Sequence, residues 1–365
     1  MIQDADRRYM ALALSLGRRG MGQVGPWPSV GCVIVKDGRI VGRGRSDAVL
    51  VQHAEVGALQ QAGAAAKGAT AYVTLEPCSH QGRTPPCANA LIDAGVARVV
   101  VATGDPNPLV VGEGLARLRA AGVIVDLGCL EDAARDDHAG FLLVQTDGRP
   151  FVTLKLAMSL DGRIATATGE SKWITGPEAR RAVHALRARH DAVMVGAGTA
   201  REDDPMLTVR DMGAVRQPVR VVVSRRLDLP VDSALVRTAD TVPLWLCHDA
   251  GLDAKVVAKW SALGATCLPC DVYGRQVTPS SVLRQLAAKG VTRVFCEGGG
   301  GLASSLLGAG LVDELIVFAA GTIIGAEGTP GVAAMGLDRL SDAPRFQLAE
   351  TRAVGADTLQ RWRRR

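Results

Sequence analysis

Aromatic residues are scarce in this sequence, and no long apolar run is present. Phe, Trp and Tyr make up 4% of the 365 residues, which disfavours a stacking platform for single-stranded nucleic acid. The longest uncharged window, residues 20–35, contains four glycines and two prolines and is shorter than the ~18 residues of a membrane span. The first residues are charged and lack the apolar core of a signal peptide. We therefore expect a cytoplasmic protein with neither a membrane nor a nucleic-acid partner.

The eight cysteines follow no repeated spacing. In a cytoplasmic protein this pattern favours free thiols and metal ligands over a disulfide framework. Cys267 and Cys270 form a C-x-x-C pair, but no second pair accompanies them. The net charge of +5 comes partly from arginines at the C-terminus, which we interpret as a solvated tail.

The length predicts two domains, at roughly 150 residues per domain. Strand and helix patterns alternate throughout, which is typical of helices packed on both faces of a mostly parallel sheet. Turn residues without periodicity occupy positions 146–150. The sequence therefore predicts two α/β domains, spanning residues 1–145 and 150–365.

Three residues of the first half have the types and order of a zinc site. His53 begins a predicted helix, and Cys78 and Cys87 each fall where a later helix is expected to begin. One imidazole and two thiolates suit zinc and leave a fourth position for water, whose pKa the metal lowers towards neutrality. Glu55, two residues after His53, would move protons rather than bind the metal. Zinc deaminases acting on bases use this combination of H-x-E and P-C motifs.

Two glycine clusters in the second half follow predicted strands. Gly196 and Gly198 form one cluster, and Gly298–Gly301 form the other, directly after Glu297. Glycines at such positions let main-chain N–H groups approach a phosphate closely. Lys155, Asp203 and Arg210 supply charges suited to a sugar phosphate.

Several motifs together resemble a known family. They are His53-Ala-Glu-Val, the segments Thr-Leu-Glu-Pro-Cys-Ser-His at 74–80, Gly-Arg-Thr-Pro-Pro-Cys at 82–87 and Asp-Pro-Asn-Pro at 105–108, and further motifs at 155–162, 169–175 and 203–210. The chain resembles the bifunctional riboflavin-biosynthesis deaminase–reductases over essentially its whole length. The resemblance implies a cytidine-deaminase-like three-layer domain followed by a dihydrofolate-reductase-like domain. It also implies a homo-oligomer, formed through the reductase half.

The resemblance assigns roles to individual residues of this chain. It implies that zinc is bound by His53, Cys78 and Cys87, with Glu55 as the proton shuttle. The implied contacts to a phosphoribosylaminopyrimidine in the deaminase are Arg83, Asp105 and Asn107, and those in the reductase are Lys155, Ser171, Arg187, Leu207, Arg210 and Glu297. The implied contacts to NADPH are Ala157, Trp173, Thr199, Asp203, Gly299, Gly300, Gly301, Leu302, Ala303, Ser304 and Ser305. Ser224 follows a predicted strand and is a further candidate, for the 2′-phosphate.

The sequence departs from the family pattern at three places. Trp27 stands where the family has an asparagine, Ser46 where it has a histidine, and segment 320–325 lacks a family lysine. Loss of a polar partner for a base edge changes substrate discrimination strongly. An alternative interpretation is therefore a functional reductase joined to a deaminase that is weakened or directed to another aminopyrimidine.

Overall fold

A tight hairpin begins the sheet of the first half. The β-branched run after Gly31 forms strand β1 (Gly31–Lys36), which is almost entirely buried. The chain then turns at Asp37 and Gly38, both with positive φ, and returns along β2 (Arg39–Arg45). Positive φ at both turn residues matches the right-handed twist of the flanking strands.

The computed structural model describes residues 2–81, 85–107 and 111–364 and divides the chain into two compact units, Met1–Gly148 and Arg149–Arg365. Strands β3 (Thr70–Val73), β4 (Arg98–Val101) and β5 (Ile124–Leu127) complete the first sheet, in the order β2-β1-β3-β4-β5. β3, β4 and β5 run parallel to one another, and β1 is antiparallel to both of its neighbours.

Helices cover both faces of this sheet. They are α1 (Asp4–Arg18), α2 (Ala54–Ala62), α3 (Cys87–Asp93), α4 (Glu113–Ala120) and α5 (Glu131–Asp147). Apolar residues of α2, α3 and α4 pack with Cys32, Ile34 and Val73 on one face. Residues of α1 and α5 pack with Val33, Val35 and Tyr72 on the other. The first unit therefore has three layers, with one buried core on each side of the sheet.

The Asp6 carboxylate joins α1 to the sheet through charged hydrogen bonds. It is 3% exposed and accepts from both terminal nitrogens of Arg98, at 2.8 and 2.9 Å, and from the Tyr72 hydroxyl at 2.8 Å. The hydrogen bonds from Arg98 hold the pKa of Asp6 down at about 2. Because the folded pKa lies below the unfolded value, the carboxylate stabilises the fold above about pH 4, and this contribution is lost as the pH falls towards 2.

We expect Asp6→Asn to destabilise the first unit by about 2–3 kcal/mol at pH 7, since the neutral amide removes the more deeply buried of the two carboxylates that pair with Arg98, the other being Asp126. Hydrogen exchange of the most protected β4 amides measures this loss within the first unit. The difference from the unsubstituted chain should shrink as the pH is lowered below about 4. Asp137→Asn is the control, because Asp137 pairs with the half-exposed Arg18 and such pairs contribute about 0–1 kcal/mol. Equal effects of the two substitutions would contradict this account.

The second unit contains a mixed sheet of nine strands within the described residues. Its strands are β6 (Phe151–Ser159), β8 (Ala192–Gly196), β9 (Val219–Val223), β10 (Leu244–Asp249), β11 (Thr266–Cys270), β14 (Arg293–Cys296), β15 (Glu314–Ala320), β17 (Phe346–Val354) and β18 (Asp357–Arg364). Their order across the sheet is β11-β10-β9-β8-β14-β6-β15-β18-β17. Two short pairs lie outside it: β7 (Arg163–Ala165) with β16 (Thr329–Pro330), and β12 (Val272–Tyr273) with β13 (Gln276–Val277). β17 and β18 are antiparallel additions to an otherwise parallel sheet.

Six helices accompany this sheet in the described part of the chain. They are α6 (Pro177–Arg187), α7 (Ala197–Asp203), α8 (Ala234–Arg237), α9 (Ala254–Ala262), α10 (Pro279–Ala288) and α11 (Gly300–Gly308). Alternate residues of β8 enter separate cores: Ala192 and Met194 enter one, and Val193 and Val195 the other. The sheet is therefore covered on both faces. In neither unit do the described residues include a helix with the length and apolar character needed to cross a membrane.

The C-x-x-C pair lies on the edge strand β11, where Pro269 between the cysteines is tolerated. Cys267 packs against the core that contains Val193, and Cys270 belongs to the core that contains Met194. Residues three apart on a strand point to opposite faces. The two thiols therefore do not form a common redox or metal site.

Candidate zinc and reductase sites

The three predicted zinc ligands lie together, two of them at helix starts; the helix expected to begin at Cys78 is wrong, because this residue lies in the irregular segment between β3 and α3. His53 is the residue before α2, and Cys87 is the first residue of α3. His53 Nδ1 lies 3.1 Å from Cys87 Sγ and 3.7 Å from Cys78 Sγ, and all three ligand atoms lie within 4.8 Å of one another. Nitrogen and sulfur bound to one tetrahedral zinc are about 3.5 Å apart. The donor set and its spacing therefore fit a zinc ion.

Local hydrogen bonds prepare Cys78 as a thiolate. The main-chain N–H of Cys87 donates to Cys78 Sγ at 3.3 Å, and the Cys87 sulfur lies within 4.8 Å of the same atom. Together with His53 they hold the pKa of Cys78 down to about 4. This matters because the thiolate, and not the thiol, is the form that binds metal.

Glu55 lies beside the three ligands, in the first turn of α2. Its side chain is 4% exposed, and burial raises the pKa of its carboxyl to about 7. The Cys78 charge acts in the same direction, whereas His53 opposes it. A group with a pKa in this range can both take up and release a proton near neutral pH.

A cavity of about 280 Å³ opens over these residues. Asp105 and Asn107, two predicted substrate contacts, line it together with His53, Glu55 and Cys78. Asp105 is buried, and this burial raises the pKa of its carboxyl. Arg83, the third predicted contact of the deaminase, lies outside the described residues.

Two of the departures from the family pattern line the same cavity. Trp27 is 42% exposed and contributes an indole to the cavity wall. The Ser46 hydroxyl donates to the Pro28 carbonyl at 2.9 Å and accepts from the Val30 N–H at 3.0 Å. Ser46 therefore fixes the segment that carries Trp27, a structural role that the sequence did not reveal.

The second unit brings together a half-buried cluster of charges where β14 ends beside the middle of β6. Arg187 forms a bidentate pair with Glu297, with Nε–Oε1 at 2.5 Å and Nη2–Oε2 at 3.1 Å. Lys155 Nζ lies 3.9 Å from Glu297 Oε2. Burial lowers the pKa of Lys155. Burial alone would raise the pKa of Glu297, but Arg187 and Lys155 outweigh it, so this pKa lies below its usual value.

The two glycine clusters meet at the ends of the adjacent parallel strands β8 and β14. The Gly299 N–H donates to the Thr199 hydroxyl at 3.2 Å, which joins the two segments. A Cβ added at Gly198 or Gly301 would meet no other atom within 4 Å. The space beside these main chains is therefore open, and the N-terminus of α11 adds a partial positive charge. This geometry fits the phosphates of a dinucleotide.

The remaining predicted reductase residues also belong to the second unit. Trp173 is 70% exposed, with the Arg180 guanidinium carbon 4.7 Å from its ring centroid. Leu207 is buried with φ of 53°, a strained backbone of the kind found at binding sites. Ser224 is buried and donates to Asp228 at 3.3 Å. The others are half-buried or buried, apart from exposed Asp203, Arg210 and Gly301: Ala157, Ser171, Gly300, Leu302, Ala303, Ser304 and Ser305.

Sequence reasoning gave no role to two residues of the quoted motifs that line the zinc cavity. His80 contributes an exposed imidazole to the rim, and Glu76 a buried carboxylate. The signal available in the sequence was the position of Glu76, a carboxyl directly before Pro77 and Cys78. The main-chain groups that hydrogen-bond to Glu76 belong to residues 105–115. The sequence alone does not indicate that these residues lie close to Glu76.

Two family models match separate parts of the chain. The cytidine and deoxycytidylate deaminase zinc-binding region matches residues 3–103, and the RibD C-terminal domain matches residues 150–360. The riboflavin biosynthesis protein RibD of Escherichia coli is 44% identical to this chain. The alignment covers 96% of this chain and 97% of the relative.

Two solved structures resemble the whole chain. Acinetobacter baumannii RibD superposes with a TM-score of 0.89 at 39% identity and covers 99% of both chains. A Thermotoga maritima diaminohydroxyphosphoribosylaminopyrimidine deaminase/5-amino-6-(5-phosphoribosylamino)uracil reductase superposes with a TM-score of 0.86 at 33% identity, again over 99% of both chains.

The fold and the zinc site thus define a bifunctional enzyme, in which a zinc-binding deaminase region and a reductase domain share one chain. The prediction of a cytidine-deaminase-like domain followed by a dihydrofolate-reductase-like domain is confirmed. The chain belongs to the RibD family of riboflavin biosynthesis proteins.

Proposed function

We propose that this chain catalyses two consecutive steps of riboflavin synthesis. The first is hydrolytic removal of the 2-amino group of 2,5-diamino-6-(5-phosphoribosylamino)pyrimidin-4-one. The second is NADPH-dependent reduction of the ribosyl group of the resulting uracil to ribityl. The observation that carries the proposal is the cluster of His53, Cys78 and Cys87, beside a cavity that the buried Glu55 also lines.

In the deaminase, these three ligands would hold a zinc ion, which supplies electrophilic activation of water. Glu55 lies within the same cavity but two residues from His53, so its carboxylate is free to take a proton from the attacking water and pass it to the departing amine. Asp105 and Asn107 line the cavity with polar groups suited to the edge of an aminopyrimidine. Burial of the carboxylate excludes bulk water from the proton transfer.

In the reductase, NADPH supplies the hydride, and the protein orients the reactants. The open main chain at Gly198 and Gly301, joined through Thr199 and Gly299, would hold the cofactor phosphates. The cluster of Lys155, Arg187 and Glu297 supplies a positive excess suited to the sugar phosphate of the substrate. The binding of the cofactor phosphates and that of the substrate phosphate are both proposed from the chemistry of these residues and from the family.

Ammonia release and NADPH oxidation, measured separately, test this assignment. The diaminopyrimidine phosphate should release ammonia without NADPH, and the uracil intermediate should oxidise NADPH without added zinc. A zinc chelator should abolish ammonia release and leave NADPH oxidation unchanged. Loss of both activities on chelation would refute the assignment of one reaction to each half.

A second candidate function is a working reductase joined to a weakened or redirected deaminase. Trp27 favours it, because an indole lines the cavity where the family has a carboxamide that can hydrogen-bond a base. This candidate predicts that W27N combined with S46H raises kcat/KM for the diaminopyrimidine at least about tenfold, as a regained polar contact to a base edge would.

The single variants W27N and S46H separate the two contributions. S46H alone should lower activity, because it removes the hydroxyl that bonds to Pro28 and Val30. The measurement is the initial rate of ammonia release. An unchanged rate in both W27N and the double variant would eliminate the second candidate and leave the first.

We further propose that the enzyme works in the cytoplasm as a homo-oligomer. The phosphorylated substrate and NADPH are cytoplasmic metabolites, and the family resemblance supports assembly through the reductase half. Light scattering on the full chain measures the assembly, and a monomeric mass would refute it.

A further inference from the structure

We infer that Glu76 is a positioning residue for the deamination, because its buried carboxylate ties the segment that carries Asp105 and Asn107 to the turn that carries zinc ligand Cys78. This inference rests on the proposed function of the first unit. Glu76 is 5% exposed and lies two residues before Cys78. It is a positioning residue and not a catalytic one, because its contacts are to the main chain.

Four main-chain N–H groups donate to the two oxygens of Glu76. Oε1 accepts from Gly114 at 3.1 Å and from Leu115 at 3.4 Å. Oε2 accepts from Gly112 at 3.2 Å and from Asp105 at 3.4 Å. Asp105 and Gly112 are seven residues apart, so one side chain binds the main chain at both positions. Both oxygens act as acceptors, which only a carboxylate can provide.

The position of α4 supports the same conclusion. Gly112 precedes α4, and Gly114 lies in its first turn, where N–H groups have no partner within the helix. A Cβ on Gly114 would lie 2.0 Å from the Pro77 carbonyl oxygen. The start of α4 therefore packs directly on the Pro77–Cys78 turn, and the Glu76 carboxylate lies beside this contact.

The consequence for catalysis concerns the segment that lines the cavity. The Asp105 side chain accepts from the Asn107 N–H at 2.9 Å, so these two residues form one local turn. The Asp105 N–H at the start of this turn is one of the four donors to Glu76. Loss of the carboxylate would release this turn, whereas Glu55 and the zinc ligands would keep their places.

The test compares E76Q with the unsubstituted full chain. An amide keeps the size of the side chain but offers one acceptor oxygen, and its N–H₂ then faces main-chain N–H groups. We expect KM for the diaminopyrimidine to rise at least about tenfold, with kcat within about threefold and zinc content unchanged. Deuterium exchange should accelerate in peptides covering 104–107 and 111–116.

Glu113→Gln is the matched control. Glu113 is an exposed carboxylate in the first turn of the same helix and makes none of the four contacts to Glu76, so this variant should match the unsubstituted chain in KM and exchange. If E76Q does not fold, E76D replaces it, since the aspartate keeps both oxygens and should give a smaller rise in KM with the same unchanged kcat.

An unchanged KM and unchanged exchange in E76Q would overturn the inference. A rise in KM accompanied by losses of kcat and of bound zinc would also overturn it, because such a result marks a purely structural role. Absence of ammonia release from the unsubstituted chain would instead refute the proposed function, and the exchange measurement would still decide whether Glu76 anchors the segment.

Discussion

Replacement of Glu55 by glutamine should slow deamination about 10²–10⁴-fold. The amide preserves the size of the buried side chain, but it can neither accept a proton from water nor deliver one to the leaving amine. Zinc should stay bound, because Glu55 is not among the three clustered ligands. NADPH oxidation with the uracil intermediate should be unaffected. Rates of ammonia release, together with zinc content by mass spectrometry, give this result.

Glu131→Gln is the control for this substitution. Glu131 is also in the first turn of a helix of the first unit, but it is exposed and forms an ion pair with Arg135, at 3.7 Å. Its replacement should leave both activities unchanged. A Glu55→Gln enzyme that deaminates at the original rate would assign the proton transfer to another group.

The second large effect is expected from removal of a zinc ligand. Cys78→Ala or Cys87→Ala should reduce the bound zinc from about one ion per chain to less than about a tenth, since a structural or catalytic zinc needs at least three protein ligands. Ammonia release should be lost with the metal. NADPH oxidation should persist, because the charged cluster and glycine segments belong to the other compact unit.

Cys129→Ala is the matched control for the ligand variants. Cys129 is a buried free cysteine of the same unit and packs in the core with Met10 and Leu14. Its replacement should retain zinc and ammonia release. Zinc binding that survives loss of Cys78 or Cys87 would show that the metal site lies elsewhere.

The sequence predicted elements well where the pattern of apolar residues was regular. The amphipathic pattern of residues 4–18 predicts a helix there, and α1 (Asp4–Arg18) confirms this prediction. Helix α5 was not predicted, because its apolar residues cluster in the second half and charged residues fill the first. It ends at Asp147, inside the stretch 146–150 from which the domain boundary was predicted. Pro269 concealed strand β11, which tolerates proline only because it lies at the sheet edge.

The chemistry of the zinc site was readable because it depends on residue type. Histidine, cysteine and glutamate carry their metal-binding and proton-transfer properties wherever the fold places them, and motif order gave their grouping. The roles of Ser46 and Glu76 were not readable, because both act through main-chain groups of distant residues. Any residue supplies a main-chain N–H or carbonyl, so such partners leave no mark in the sequence.

The central claim is that one chain performs deamination and then reduction. Mass spectrometry of the diaminopyrimidine phosphate, incubated with zinc-loaded protein with and without NADPH, tests it most directly. The account predicts the deaminated uracil alone when NADPH is omitted and the ribityl product when it is present. Unchanged starting material in both samples, with reduction only when the uracil intermediate is supplied, would contradict it and show that the cavity lined by Trp27 serves another substrate.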